Sequence, residues 1–184
     1  MAIRESLLTP QQPIPLPVLR FREILNAILP TLFIGLALMV FVVQPTRVEG
    51  ISMEPTLHTG QQLVIEKISY YFDKPTAGDV VVIKLERHYN PYLVKRVIAT
   101  EGDQVSIQNG RLYVNGIMQE EANVTSINSE DYPETIIPQG HLFVLGDNRD
   151  ASNDSRYFGA IPIENLVGRA LASYWPLNTV GLVN

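Results

Sequence analysis

Hydrophobic and polar positions divide the chain into two regimes. From Ile24 to Thr46 there is no charged residue, and Ile24 to Val43 is almost continuously apolar, broken only by Asn26 and Thr31. Twenty helical residues at ~1.5 Å each span about 30 Å, the thickness of a bilayer's hydrocarbon core, so the run predicts a membrane-crossing helix over 24–43. Pro30 falls near its start, where loss of one backbone bond is tolerated. Downstream the pattern shortens. Gln62-Leu63-Val64-Ile65-Glu66-Lys67 alternates with a strand's period of two, Val80-Val81-Val82-Ile83 is a β-branched run, and Tyr92 to Ile98 reads as another strand. Val105-Ser106-Ile107 and Arg111 to Val114 flank Asn109-Gly110, and Asn115-Gly116 follows. Asn-Gly takes the positive φ of tight hairpins, which predicts a small meander. His141 to Leu145 and Val167 to Tyr174 complete the strands. The expectation is a mainly β, antiparallel body preceded by one transmembrane helix.

The remaining stretches read as connections. Residues 1–23 carry Pro10, Pro13, Pro15 and Pro17 and little that could build a core, so they are expected as a loose, partly polyproline-II tail. Tyr70 to Gly78 is turn-rich. Glu120, Glu121, Glu130, Asp131 and Glu134 accumulate where no Lys or Arg occurs, and this acidic stretch is expected as a solvated insertion. Residues 44–184 then form one β-rich domain.

Composition narrows the chemistry. A formal net charge of −5 argues against nucleic acid as a partner, because phosphate binding needs clustered Lys and Arg. With no cysteine, disulfides, thiolate metal sites and thiol catalysis are excluded. The apolar run exceeds the ~7–15 residues of a cleaved signal, and Gln44-Pro45-Thr46-Arg47 offers no small-x-small cleavage site, so the segment is expected to stay as an anchor. Arg4, Arg20 and Arg22 precede it, and the positive-inside tendency places the N-terminus in the cytoplasm and the β-rich domain across the membrane.

Candidate catalysts are few. Three histidines, His58, His88 and His141, lie far apart, without the spacing of a zinc site. Ser52 stands in Gly50-Ile51-Ser52-Met53-Glu54, which is not the G-x-S-x-G elbow of a Ser-His-Asp hydrolase. Lys95 interrupts an apolar strand. If desolvation holds its amine neutral it can act as a general base to a serine, and if it reaches solvent from an edge strand it is an ordinary surface lysine. Alternation alone leaves both readings open.

Four ordered stretches decide between them. Ser52-Met53-Glu54-Pro55-Thr56-Leu57, Gly78-Asp79-Val80-Val81-Val82, Lys95-Arg96-Val97-Ile98 through Glu101-Gly102-Asp103, and Gly146 to Arg156 together resemble the motifs of type I signal peptidases, with the anchor in its place before them. The resemblance implies a membrane-bound Ser-Lys endopeptidase that removes signal peptides from exported pre-proteins after small residues of Ala-x-Ala type. Ser52 matches the nucleophile, Lys95 the general base, and Ser152 the hydroxyl that orients the lysine. The backbone N–H of Ser52 matches the oxyanion donor, and Asp154 and Arg156 match a supporting ion pair. Asp147 and Arg149 are expected to structure the loop. Met53, Leu57 and Val94 match positions lining the substrate cleft. Gly50 stands where some members carry a hydroxyl that assists the oxyanion. No metal or cofactor is implied, and the partners are pre-proteins and the lipid bilayer, without nucleic acid. A bacterial plasma membrane or a thylakoid-type membrane suits the design, with the catalytic domain on the periplasmic or lumenal face.

Two other readings compete. One is an anchored β-domain that binds exported proteins without cutting them. The other is a self-cleaving Ser-Lys repressor, which the anchor and the absence of a basic helical head disfavour. Ser52 follows Val43 by nine positions, a reach of at most ~30 Å, so the serine is expected to work close to the membrane surface.

Overall fold

The computed structural model describes residues 16–86, 91–122, 124 and 130–183, without the side chains of 16–19 and 38–42. Residues 1–15, with most of the expected proline-rich tail, and His88 lie outside the described residues. Two compact units emerge, Met1–Met39 and Val40–Asn184.

The first unit is dominated by helix α1, Leu16–Val42. It begins earlier than expected, so residues 16–23 are helical and not part of a loose tail. Pro17 lies in its first turn, where its missing N–H costs no intrahelical bond. The side chains of Phe21, Ile24, Ile28, Leu29, Leu32, Phe33, Ile34 and Leu36 are all exposed, and the charged residues among the described side chains, Arg20, Arg22 and Glu23, stand at its N-terminal end. Thr31 returns its hydroxyl to the Ala27 carbonyl at 2.8 Å, which satisfies it within the helix. Among the described residues no helix is long and apolar enough to cross a membrane; the run read from the sequence continues into 38–42.

The second unit is antiparallel β. In chain order its strands are β1 (Val43–Arg47), β2 (Gln62–Glu66), β3 (Val80–Lys84), β4 (Tyr92–Ala99), β5 (Gln104–Gln108), β6 (Arg111–Val114), β7 (Ile117–Met118), β8 (Tyr132–Ile136), β9 (His141–Leu145), β10 (Ile161–Pro162), β11 (Leu166–Trp175) and β12 (Gly181–Leu182). Short helices α2 (Ser69–Phe72) and α3 (Ser155–Phe158) intervene. Among the described residues there are two sheets. The larger has the order β1-β2-β11-β3-β4-β9-β10 with β12 on β11, and the smaller has the order β7-β6-β5-β8.

The local chemistry explains the layout. Strand β3 is central and buried on both faces from Val80 to Ile83, which is why it reads as a continuous β-branched run. Val80 and Val82 pack with Val48, Met53, Leu57, Leu63 and Ile65, while Val81 and Ile83 pack with Val97, Leu142 and Val144. Val105, Ile107, Leu112, Phe143 and Leu145 form a third cluster, which joins the smaller sheet to the larger. Asn109 and Asn115 both take positive φ, 51° and 53°, at the two expected turns. Gly168 lets β11 pass close to β2, since a Cβ there would collide with the Glu66 carbonyl.

One expectation is corrected. The acidic stretch is not wholly a solvated insertion, because Tyr132–Ile136 is strand β8, paired with β5, and Glu121 is largely buried against an arginine. Residues 123 and 125–129 lie outside the described residues. Strand β1 also went unforeseen.

Strand β4 carries the functional consequence of this topology. It pairs with β3 along Tyr92 to Arg96. Its pairing with β9 begins at Arg96, opposite Leu145, where β9 ends. Among the described residues, Leu93 and Val94 therefore have a strand partner on one side only.

Candidate active site

Lys95 is the largest fully buried side chain of the chain's described part, 2% exposed although it carries an amine. It pairs with Val81 of β3 and stands one residue before the pairing with β9 begins, and its amine is shielded from solvent although the strand is not yet enclosed on both sides. Its Nζ donates to Ser52 Oγ at 2.8 Å across a separation of 43 residues. Burial lowers the Lys95 amine from the usual 10.5 to about 8, with the nearby Asp154 carboxylate opposing, the Arg156 guanidinium assisting and Asp147 opposing. About a tenth of such amines are neutral at pH 7.

Ser52 sits in a turn that follows β1, and the core holds that turn from below. Met53 is 1% exposed and Leu57 2%, both within the cluster that includes Val80 and Val82. The Leu57 amide also bonds to the Met53 carbonyl at 2.8 Å. Above them a cavity of about 300 Å³ is lined by Ser52, Met53 and Val94 together with Gly50, Val82 and Leu93. Leu57 is absent from that lining and packs in the core beneath it. Gly50 takes φ +87°, a region that side chains rarely enter, which gives a conformational reason for the lack of a hydroxyl there. Its carbonyl accepts from Thr59 Oγ1 at 2.7 Å.

The loop after β9 closes the site. Gly146 N–H donates to Asp154 Oδ2 at 3.0 Å, and Asn148 N–H donates to the Ser52 carbonyl at 3.0 Å. A Cβ on Gly146 would lie 2.5 Å from the Ser52 carbonyl oxygen and collide with the Ser152 hydroxyl. Only glycine fits between Ser52 and the loop. Asp154 is fully buried and meets Arg156 through two bonds, Nε to Oδ1 at 2.8 Å and NH2 to Oδ2 at 2.9 Å. Ser152 is 6% exposed, and its hydroxyl has no hydrogen-bond partner. It lies against Gly146 but makes no bond to Lys95.

Several participants could not be read from the sequence. Arg96, on the opposite side of β4 from Lys95, grips Asp147 with Nε to Oδ1 at 2.8 Å and NH2 to Oδ2 at 2.7 Å. Thr56 Oγ1 donates to the same carboxylate at 2.5 Å. Arg149 and Glu121 form a second buried pair. The alternation of β4 points to a partner for Arg96, but nothing local names it. His58 pairs with Glu54 at 3.4 Å, and His141 Nδ1 lies 2.9 Å from the Gln139 carbonyl. Among the described residues no group of three or more His, Asp or Glu side chains is arranged to hold a metal.

A hydroxyl held against a buried, largely desolvated amine, beside an open cavity and an open strand edge, can carry out acyl transfer on an extended peptide. Comparison with known proteins gives the family. Residues 21–175 match the family model described as "Signal peptidase, peptidase S26". Thylakoidal processing peptidase 1 of Arabidopsis thaliana is 42% identical over 147 residues, covering 74% of this chain, which spans 43% of that relative's length. A probable signal peptidase I-2 of Synechocystis is 34% identical over 166 residues, covering 88% of this chain and 76% of that one. Signal peptidase I of Leptolyngbya laminosa is 36% identical, covering 80% and 76%. A match of this extent, over motifs that the fold brings to one place, assigns the chain to the signal peptidase family, peptidase S26.

Proposed function

We propose that this chain is a membrane-anchored endopeptidase that cuts signal peptides from exported pre-proteins after small residues, with Ser52 as nucleophile and Lys95 as base. The observation that carries the reading is the 2.8 Å contact between Lys95 Nζ and Ser52 Oγ at a fully buried amine. Once the amine has lost its proton, the same contact reverses and Lys95 accepts from the hydroxyl. Ser52 Oγ attacks the scissile carbonyl as its proton passes to Lys95, and the backbone N–H of Ser52 receives the developing oxyanion. The resulting ammonium protonates the leaving amine, and the C–N bond breaks to give an acyl-enzyme and the free mature protein. Water then adds with Lys95 again as base, and the signal peptide leaves as a carboxylic acid. Ser152 orients the amine, and Asp154 with Arg156 keeps the loop in place.

Substrate preference follows from the site's shape. The open side of Leu93 and Val94 suits a peptide added as a strand. The cavity is lined at Met53, Val82 and Val94 by apolar side chains, a surface that suits the methyl groups of small residues such as alanine. The anchor rests on the uncharged run from Ile24 onward within α1, whose large apolar side chains are exposed from Ile24 to Leu36, and on that run continuing in sequence to Val43. Arg20 and Arg22 orient it with the N-terminus in the cytoplasm. The catalytic domain then faces the periplasm or a lumen, in a plasma membrane or a thylakoid-type membrane.

Ser52→Ala and Lys95→Ala, assayed on a pre-protein with an Ala-x-Ala site, test the reading. Both are expected to abolish cleavage. Wild-type cleavage by either variant would remove the dyad and favour a binding domain.

A further inference from the structure

The mechanism makes no use of Glu121, a residue of the acidic stretch between β7 and β8. Its carboxylate meets both terminal nitrogens of Arg149, with NH1 to Oε2 at 3.2 Å and NH2 bonded to Oε1. The Arg149 side chain is 2% exposed, so its charge is desolvated and depends on that carboxylate. The remaining donor, Arg149 Nε, reaches the Gly146 carbonyl at 3.0 Å. The Arg149 carbonyl in turn accepts from Arg156 NH2.

Gly146 is therefore held at both ends of its backbone. Asp154 takes its N–H and Arg149 takes its C=O. It is also the residue with no clearance toward the Ser52 carbonyl and the Ser152 hydroxyl. A small shift of Gly146 must be felt by both serines. The chain of contacts runs from Glu121 through Arg149 and Gly146 to the reacting groups, and it starts on the smaller sheet's side of the molecule.

We propose that Glu121 is a positioning residue for peptide-bond cleavage, acting through Arg149 to fix the loop 146–152 against Ser52. The proposal rests on the peptidase reading above. Without the Glu121 carboxylate, a buried guanidinium lacks its counter-ion and is drawn toward water, releasing the Gly146 carbonyl. The peptide-binding cavity lies elsewhere, so substrate binding should be spared.

The test uses the full-length chain in detergent micelles or proteoliposomes, comparing wild type with Glu121→Gln, Glu121→Asp and Ser52→Ala. In Glu121→Gln, kcat for pre-protein cleavage is expected to fall about 10- to 100-fold with KM changed less than about twofold, since ångström-scale misplacement costs that much. Glu121→Asp, which keeps the charge, should recover most of the rate. Amide hydrogen exchange across 145–153 should accelerate at least about tenfold in Glu121→Gln while that of β3 is unchanged. Wild-type kcat in Glu121→Gln, a rate loss shared equally by Glu121→Asp, or unchanged exchange in 145–153 would each overturn the proposal. Failure of the peptidase reading shows itself separately, as cleavage by Ser52→Ala or none by wild type, and the exchange measurement then judges the clamp without reference to activity.

Discussion

Arg96 closes on Asp147 with two parallel hydrogen bonds of 2.8 and 2.7 Å, one residue along the strand from the buried amine of Lys95. Neighbouring residues on β4 thus face opposite ways and do different work. Lys95 meets Ser52, and Arg96 fastens the strand to the loop that closes the site.

This pair is buried, with side-chain exposures of 12% and 2%. Arg96→Met should leave the Asp147 carboxylate in the interior without its cation and lower stability by about 3–5 kcal/mol. Chemical denaturation of the full chain in detergent measures it. A loss below about 1 kcal/mol, the range of exposed pairs, would mean that the pair holds little.

The lysine predicts opposite effects on activity and stability. Cleavage should rise with pH along a limb centred near 8, where Lys95 loses its proton. A rate constant across pH 6–10, the span around that midpoint, would contradict a neutral amine as base. For stability, the folded amine titrates near 8 and the unfolded one near 10.5. Between those values the unfolded chain binds more protons, so stability rises with pH, and below about 8 the full cost of the buried charge is present. Lys95→Met, which removes the charge at similar volume, should therefore be inactive yet more stable at pH 7 by roughly 3 kcal/mol. The gain should shrink toward pH 10.5, and thermal melts at several pH values read it directly.

Ser152 offers a complementary test. Its hydroxyl is buried without a partner, an arrangement that costs stability. Ser152→Ala should leave the melting temperature unchanged or raise it, while cleavage falls by about tenfold or more if the hydroxyl orients the lysine in the substrate complex. A melting temperature that drops with the rate would make Ser152 a packing residue.

What could be read in the sequence is what chemistry confines to neighbours in the chain. The β-branched run of β3, the Asn-Gly turns and the motif residues Ser52, Lys95, Asp154 and Arg156 each stand in a local pattern. Strands β1 and β8 were missed because Gln44-Pro45-Thr46 and Tyr132-Pro133-Glu134 look like connections, and their pairing is supplied by β2 and β5. The partners of Arg96 and Arg149 lie 51 and 28 residues away. Strand register and loop closure bring them together, and no periodicity encodes that. Leu57 shows the same limit, since a motif residue beside a nucleophile can face the core as easily as the cleft.

The one-sided pairing of Leu93 and Val94 also sets a schedule. A polypeptide that completes this edge has to arrive extended, with its own backbone donors and acceptors uncommitted. A mature N-terminus that had already entered a helix or sheet of its own could not offer them. Processing by this chain would therefore have to precede local folding of the exported protein, and a substrate that folds first escapes it.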